Sequence, residues 1–189
     1  MPSTLGFDKI ILGIDPGTNA MGYGVIGLNG KTACYITCGI IKLQKLSNHA
    51  VKLEQIFKQC SELIAEHLPD EVALEAPFYG KNVQSMLKLG RAQGVAMAAA
   101  LNKGLPVFEY APKRVKQSIT GSGNSSKEQL AGMLKTILSH PLTDEGLDAT
   151  DALGVAVCHF FSGGNDQMAV SQKKGGWGQF LKDNPDRIR

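Results

Sequence analysis

Paired cysteines are missing from this chain. Cys34, Cys38, Cys60 and Cys158 form no CxxC and share no ligand spacing with the four histidines, which argues against a disulfide framework and a structural zinc site and leaves reduced, packed thiols as the expectation. Long apolar runs are missing too. Every one is interrupted before the ~18 residues of a membrane span, and the amino terminus lacks the basic-then-apolar layout of a signal peptide. The expectation is a cytoplasmic protein without membrane contact. The loop "GSGNSSK" lacks the GxxxxGK[ST] spacing of a P-loop, and no histidine sits in a motif that recommends Ser-His-Asp chemistry. Negative charge is scarce in one place: from Phe78 to Lys135 nine Lys or Arg face two acids, Glu109 and Glu128, while the rest carries eleven basic and fifteen acidic residues. That segregation hides behind a net charge of only +3. It suggests a basic surface for a polyanion, with a solvated helix face as the plainer alternative.

What is present reads as one domain. With 189 residues, 43% hydrophobic and 20% charged, the chain has average globular usage and length for one full core. Residues 1–161 are assigned to that domain. Residues 162–189, rich in Gly, Ser, Asn, Gln and Lys with an isolated Trp177 and Phe180, are assigned to a flexible tail.

Ile10 to Ile14 has the apolar run of a buried strand, Tyr23 to Leu28 resumes one, Asn29-Gly30 signals a hairpin, and "KTACYITCGIIKL" alternates as a third strand. Helical spacing follows from about Asn48 to His67, and Pro69 stops it. "EVALE" is a short strand, residues from about Asn82 to Asn102 a long helix, "LPVFEY" a strand, and "PKRVKQSIT" a short helix. Ser125 and Glu128 are expected to form a capping box on the next helix, and Leu147 to Phe161 is the last. The pattern predicts a mixed five-stranded sheet, three strands antiparallel and then two parallel, with helices on both faces.

Two of the strands end on a carboxylate, Asp15 and Glu75. If strands one and four are parallel neighbours, both acids face the crevice outside the carboxyl ends of the sheet, where open α/β sheets bind ligands. Asp148 and Asp151, three apart at the start of an otherwise apolar helix, share one face of its first turn. A modest reading makes Asp148 an N-cap and lets Asp151 support the first-turn amides. The stronger reading gathers all four acids in one cavity, where they would repel unless cations sat among them. An all-oxygen donor set suits magnesium or manganese, and two such ions ~3.5–4 Å apart can activate a water and stabilise a leaving oxygen in phosphodiester displacement. Glycines at Gly22, Gly24 and Gly27 are read as leaving room for a phosphate backbone. Phe78 and Tyr79 follow Glu75 as base-stacking candidates. Lys81, Lys88, Arg91, Lys113, Arg114, Lys116 and Lys127 are the candidate phosphate contacts.

Four segments, "ILGIDPGTNAMGYGVI", "LEAPFYGKNVQSMLKLGRAQGVAMAAA", "PVFEYAPKRVKQSITGSGNSSKEQ" and "DATDALGVAVCHF", closely resemble the RuvC family of Holliday-junction resolvases in order and spacing, over about Lys9 to Phe161. The resemblance implies an RNase H-like fold, a homodimer, and Mg2+-dependent symmetric cutting of four-way junction DNA that leaves ends a ligase can seal. It places the catalytic acids and metal ligands on Asp15, Glu75, Asp148 and Asp151, the junction-stacking aromatic on Phe78, and DNA-contacting lysines on Lys116 and Lys127. It also implies the branch-migration proteins RuvA and RuvB as partners. Residues 1–8, the Ala76-Pro77 pair and the segment after Phe161 depart from the family pattern. The rival readings are an ATPase of the sugar-kinase and actin class, a non-catalytic junction-binding module, and a related nuclease acting on RNA or RNA:DNA hybrids.

Overall fold

The computed structural model describes residues 6–77, 82–142 and 146–163. The expected tail, apart from its first two residues, lies outside the described residues, as do Phe78, Tyr79 and Lys81. In chain order the elements are β1 (Lys9–Asp15), β2 (Ala20–Asn29), β3 (Thr32–Lys42), α1 (His49–His67), β4 (Glu71–Glu75), α2 (Val83–Asn102), β5 (Val107–Tyr110), α3 (Pro112–Thr120), α4 (Lys127–Ile137) and α5 (Leu147–Ser162). The strands form one sheet in the order β3-β2-β1-β4-β5. β1 to β3 are antiparallel; β4 runs parallel to β1 and β5 parallel to β4. This is the mixed sheet that the patterning predicts. The hairpin turn is Gly30-Lys31, one residue on from the expected Asn29-Gly30, because Asn29 still pairs with Thr32; Gly30 stands at φ 58°, a conformation that costs glycine little.

Side chains alternate across the sheet with period two, and each face has its own core. Ile10, Leu12 and Ile14 of β1 join Val72 and Leu74 of β4 against α1 and α2, in a cluster that includes Ile56, Cys60, Ala92, Ala96 and Ala99. Ile11 and Ala73 lie on the other face with Phe108, Tyr110, Val115, Leu130, Leu134 and the buried side of α5. By the same alternation Asp15, two steps on from Gly13, and Glu75, two steps on from Ala73, belong to the α5 face.

α5 lies directly on the sheet because β1 and β2 offer it glycine. A Cβ at Gly13 would stand 2.8 Å from the Ala156 backbone nitrogen, one at Gly24 would stand 2.8 Å from that of Leu153, and one at Gly22 would collide with the Asp148 carbonyl. This corrects the reading of Gly22 and Gly24 as room for a phosphate backbone: the space is taken by the protein's own last helix. Gly27 makes room for Phe7 in the same way. Glycine in a strand thus marks close backbone approach, but the approaching chain is α5.

Two helix starts also differ from expectation. The capping box on α4 is formed by Ser126 and Gln129, with both reciprocal bonds present, and not by Ser125 and Glu128. Asp148 does not cap α5; Gly146 is the N-cap and supplies no side chain. The modest explanation for Asp148 therefore fails, although a carboxylate in the first turn still gains from the helix dipole.

Candidate functional site

Parallel pairing of β1 with β4, with Ile14 opposite Leu74, brings Asp15 and Glu75 to the same edge. The seating of α5 on Gly13, Gly22 and Gly24 then sets the first turn of that helix over the end of β1. Carboxylate oxygens of Asp15, Asp148 and Asp151 lie within 4.8 Å of one another. Glu75 stands at the edge of this trio and shares with Asp15 a cavity of about 140 Å³, walled also by Pro16, Ala76, Pro77, Leu89 and Gln93. All four acids named from the sequence are thus brought together.

Their electrostatics follow from that crowding. Burial, followed by the charges of Glu75, Asp151 and Asp148, pushes the Asp15 carboxyl up to about 8. Burial and the charge of Asp151 push Glu75 up to about 7. Such shifts are what packed carboxylates show when no cation stands between them. One protein cation is at hand: Lys127, the first residue of α4, pairs with Asp151 and lies 3.9 Å from Asp148. Burial pulls the Lys127 ammonium down, but the bond to Asp151 and the charges of Asp151, Asp148 and Asp15 outweigh it and hold it above its ordinary value.

Of the remaining candidates, Lys116 is drawn toward the acids and Arg114 reaches to the opposite end of α5. The charge of Lys116 favours ionised Glu75, and its Nζ donates to the Ser125 carbonyl at 2.8 Å, tying the α3–α4 loop toward the acids. Arg114 lies over the Tyr110 ring at 5.5 Å and reaches Ser162 Oγ at 3.4 Å, so it faces the C-terminal end of α5. Lys113, Lys88 and Arg91 are exposed, Lys88 and Arg91 on α2 and Lys113 at the start of α3.

Gln93 escaped the sequence reading, and so did the pairing of Lys127 with the acids. Gln93, buried on α2, bonds Glu109 and walls the acid cavity; its signal was a polar residue at a buried position among alanines. Lys127 was read as a phosphate contact, and its pairing with the acids becomes visible only once α4 is placed beside α5.

Strand order and convergent acids from β1, β4 and α5 define the class: an RNase H-like α/β domain of the kind found in solved junction resolvases. Residues 11–159 match the family model described as Crossover junction endodeoxyribonuclease RuvC. The chain is 58% identical over 188 residues to the crossover junction endodeoxyribonuclease RuvC of Cytophaga hutchinsonii, covering 100% of this chain and 91% of that protein. It is 54% identical to the one from Porphyromonas gingivalis, covering 96% and 98%. Among solved structures it is similar to Thermus thermophilus RuvC in complex with a Holliday junction substrate, at TM-score 0.76 and 29% identity over 82% of this chain and 94% of that one. The chain belongs to the RuvC family of crossover junction endodeoxyribonucleases.

Proposed function

We propose that the protein is an endonuclease that resolves four-way DNA junctions by Mg2+-dependent hydrolysis of two opposed strands, with Asp15, Glu75, Asp148 and Asp151 as catalytic metal ligands. The observation that carries this reading is the meeting of carboxylate oxygens from Asp15, Asp148 and Asp151 within 4.8 Å, beside Glu75, in a chain of this family. The donor set fits hard divalent ions: it is all oxygen and partly buried, and two of its members, Asp15 and Glu75, are raised in pKa as if short of positive charge. Mg2+, or Mn2+ in its place, supplies Lewis acidity there, activating water and offsetting charge on the phosphodiester.

The chain's own groups do the rest. Asp15 and Glu75 are held by a rigid sheet and Asp148 and Asp151 by a buried helix, so the donors are positioned before substrate arrives. Lys127 and Lys116 place positive charge beside the acids and orient a phosphate. In the overall reaction the water oxygen forms the new P–O bond, the P–O3′ bond breaks, and the 3′ oxygen leaves with a proton. The products, 5′-phosphate and 3′-hydroxyl, are ends that a ligase can seal.

Symmetric cutting needs two sites, and α2 supports the homodimer. Val83, Leu87, Gly90, Gly94, Ala98 and Leu101 are all exposed and recur at helical spacing as one stripe, with nothing near a Cβ at Gly90 or Gly94. Apolar side chains flanking small residues suit close packing against a second copy. The family resemblance adds Phe78 as a base-stacking residue and RuvA and RuvB as partners; Tyr79, Lys81, Lys88, Arg91, Lys113 and Arg114 are further candidate DNA contacts by their place in the basic segment, and we place the protein in the cytoplasm. No helix among the described residues is long and apolar enough to cross a membrane.

Labelled four-way junctions, linear duplexes and RNA:DNA hybrids incubated with Mg2+, Ca2+ or chelator test the proposal. Paired, symmetric, ligatable cuts confined to junctions with Mg2+ are expected. Binding without products in Mg2+, or preferential cutting of hybrids, overturns it.

A further inference from the structure

Beyond the β1–β2 turn from the acids lies a second cleft of about 360 Å³, whose walls include Thr18, Asn19, Ser47, His49, Lys52 and Lys88. None of its described lining residues is a carboxylate. The two clefts are lined by neighbouring residues: Asp15 and Pro16 line the first and Thr18 and Asn19 the second, while Lys88 of the second precedes Leu89 of the first on α2. Three chain steps from Asp15 to Thr18 span at most about 10 Å.

The chemistry of this cleft is that of an anion site. Lys52 Nζ donates to the Thr18 carbonyl at 2.9 Å and to Asn19 Oδ1 at 3.0 Å. Two of its three protons thus go to neutral oxygens, which fix the ammonium in place without cancelling its charge. α1 starts at the cleft, capped by Asn48, with no acidic residue in its first turn to answer the helix dipole. Next to the cap, His49 also lines the cleft, its Nε2 buried without a hydrogen-bond partner among the described residues.

We propose that this cleft binds a backbone phosphate of the DNA strand within about three nucleotides of the bond to be cut, at 3.4 Å per nucleotide, with Lys52 and Lys88 as its cations. The inference rests on the junction-nuclease reading and extends it to residues that the family resemblance does not assign, Lys52 and His49. The acid site then has cations on both flanks, Lys116 and Lys127 toward α3 and α4, Lys52 and Lys88 toward α1 and α2. A strand held on both sides cannot slide along its own axis while the bond breaks.

Methylphosphonate scanning tests this. Single phosphates near the cut are neutralised in a labelled four-way junction, and binding is followed by fluorescence anisotropy in Ca2+ over a range of salt. Wild-type protein should lose severalfold affinity at one or two positions within three nucleotides of the cut. Lys52→Gln and Lys88→Gln should each bind the native junction more weakly, show no further loss at that position, and lower the slope of log K against log salt by about 0.7 to 0.9; Lys52→Arg should retain most of both. If Lys52 only braces the β1–β2 turn, Lys52→Gln keeps the wild-type methylphosphonate response and salt slope, and the inference is overturned. Stabilisation by inorganic phosphate that vanishes in Lys52→Gln, with an unchanged methylphosphonate response, assigns the cleft to a free anion and overturns it too. Wild-type protein that fails to bind junctions sinks the nuclease reading along with it; wild-type protein that binds and cuts while both variants scan like wild type sinks the cleft assignment alone.

Discussion

Replacing Asp15 with Asn removes one charge from a cluster in which its own carboxyl stands at about 8 and that of Glu75 at about 7. In the folded chain Asp15 keeps its proton to about pH 8, whereas in the unfolded chain it loses it near 3.8. Between those values the native state binds more protons than the unfolded state, so without metal stability falls as pH climbs from about 4 to about 8 and is level above. Ionising a carboxyl so displaced costs about 6 kcal/mol. Burial is the largest cause of that cost and the three neighbouring acids add to it, and a neutral Asn is subject to neither, so Asp15→Asn should recover a large part of it, about 3 kcal/mol at pH 8. Urea titrations in chelator should show the variant more stable than wild type at pH 8, its midpoint higher by about 1 M, and the two equal near pH 4. A divalent ion at a hundredfold its Kd should add about 2.7 kcal/mol to wild type and far less to the variant, which should also have lost junction cleavage. A variant no more stable than wild type at pH 8, or one that still cuts, refutes the reasoning.

Gly22→Ala puts a methyl group against the Asp148 carbonyl; it should cost about 1 to 3 kcal/mol and, by lifting the first turn of α5, lower single-turnover cleavage about a hundredfold. Glu71 accepts from His159 at 2.7 Å, and His159 meets the Tyr110 hydroxyl at 2.6 Å. His159, and then Lys9, hold the Glu71 carboxyl down at about 2, so its contribution is complete above about pH 4.5 and lost as pH falls toward 2. Glu71→Gln should cost about 2 kcal/mol at pH 7 and almost nothing at pH 2, read by thermal melts across that range. Leu87→Glu in the α2 stripe should convert a dimer to a monomer in sedimentation and leave a protein that nicks one strand at a time.

Much of this architecture was legible because local signals agreed with global ones. Asp15 and Glu75 follow runs whose period and apolarity identify strands, and two-step alternation then assigns both to one face. What stayed hidden depends on chain segments that meet only in three dimensions. Gly22 and Gly24 announce a close approach but not what approaches; the helix that fills the gap begins more than a hundred residues later. Ser125-Ser126 offers two capping registers, one ending on Glu128 and one on Gln129, and sequence alone does not separate them. Lys127 looks like any cation after a flexible loop until α4 is seen against α5. The chain Tyr110–His159–Glu71–Lys9 runs from the core to the surface and links groups up to 150 positions apart, and no spacing rule connects them.

The dependence of the site on its last helix has a consequence for the timing of synthesis. A ribosome emits the five described strands and the first four described helices before Asp148 appears, so a nascent chain carries two of the four site acids and an empty trough where α5 will lie. Until that helix docks the four acids are not together. On the proposed mechanism, a chain made in this order stays inert while it is being translated and gains its cutting power in the same step that seats α5 on the sheet.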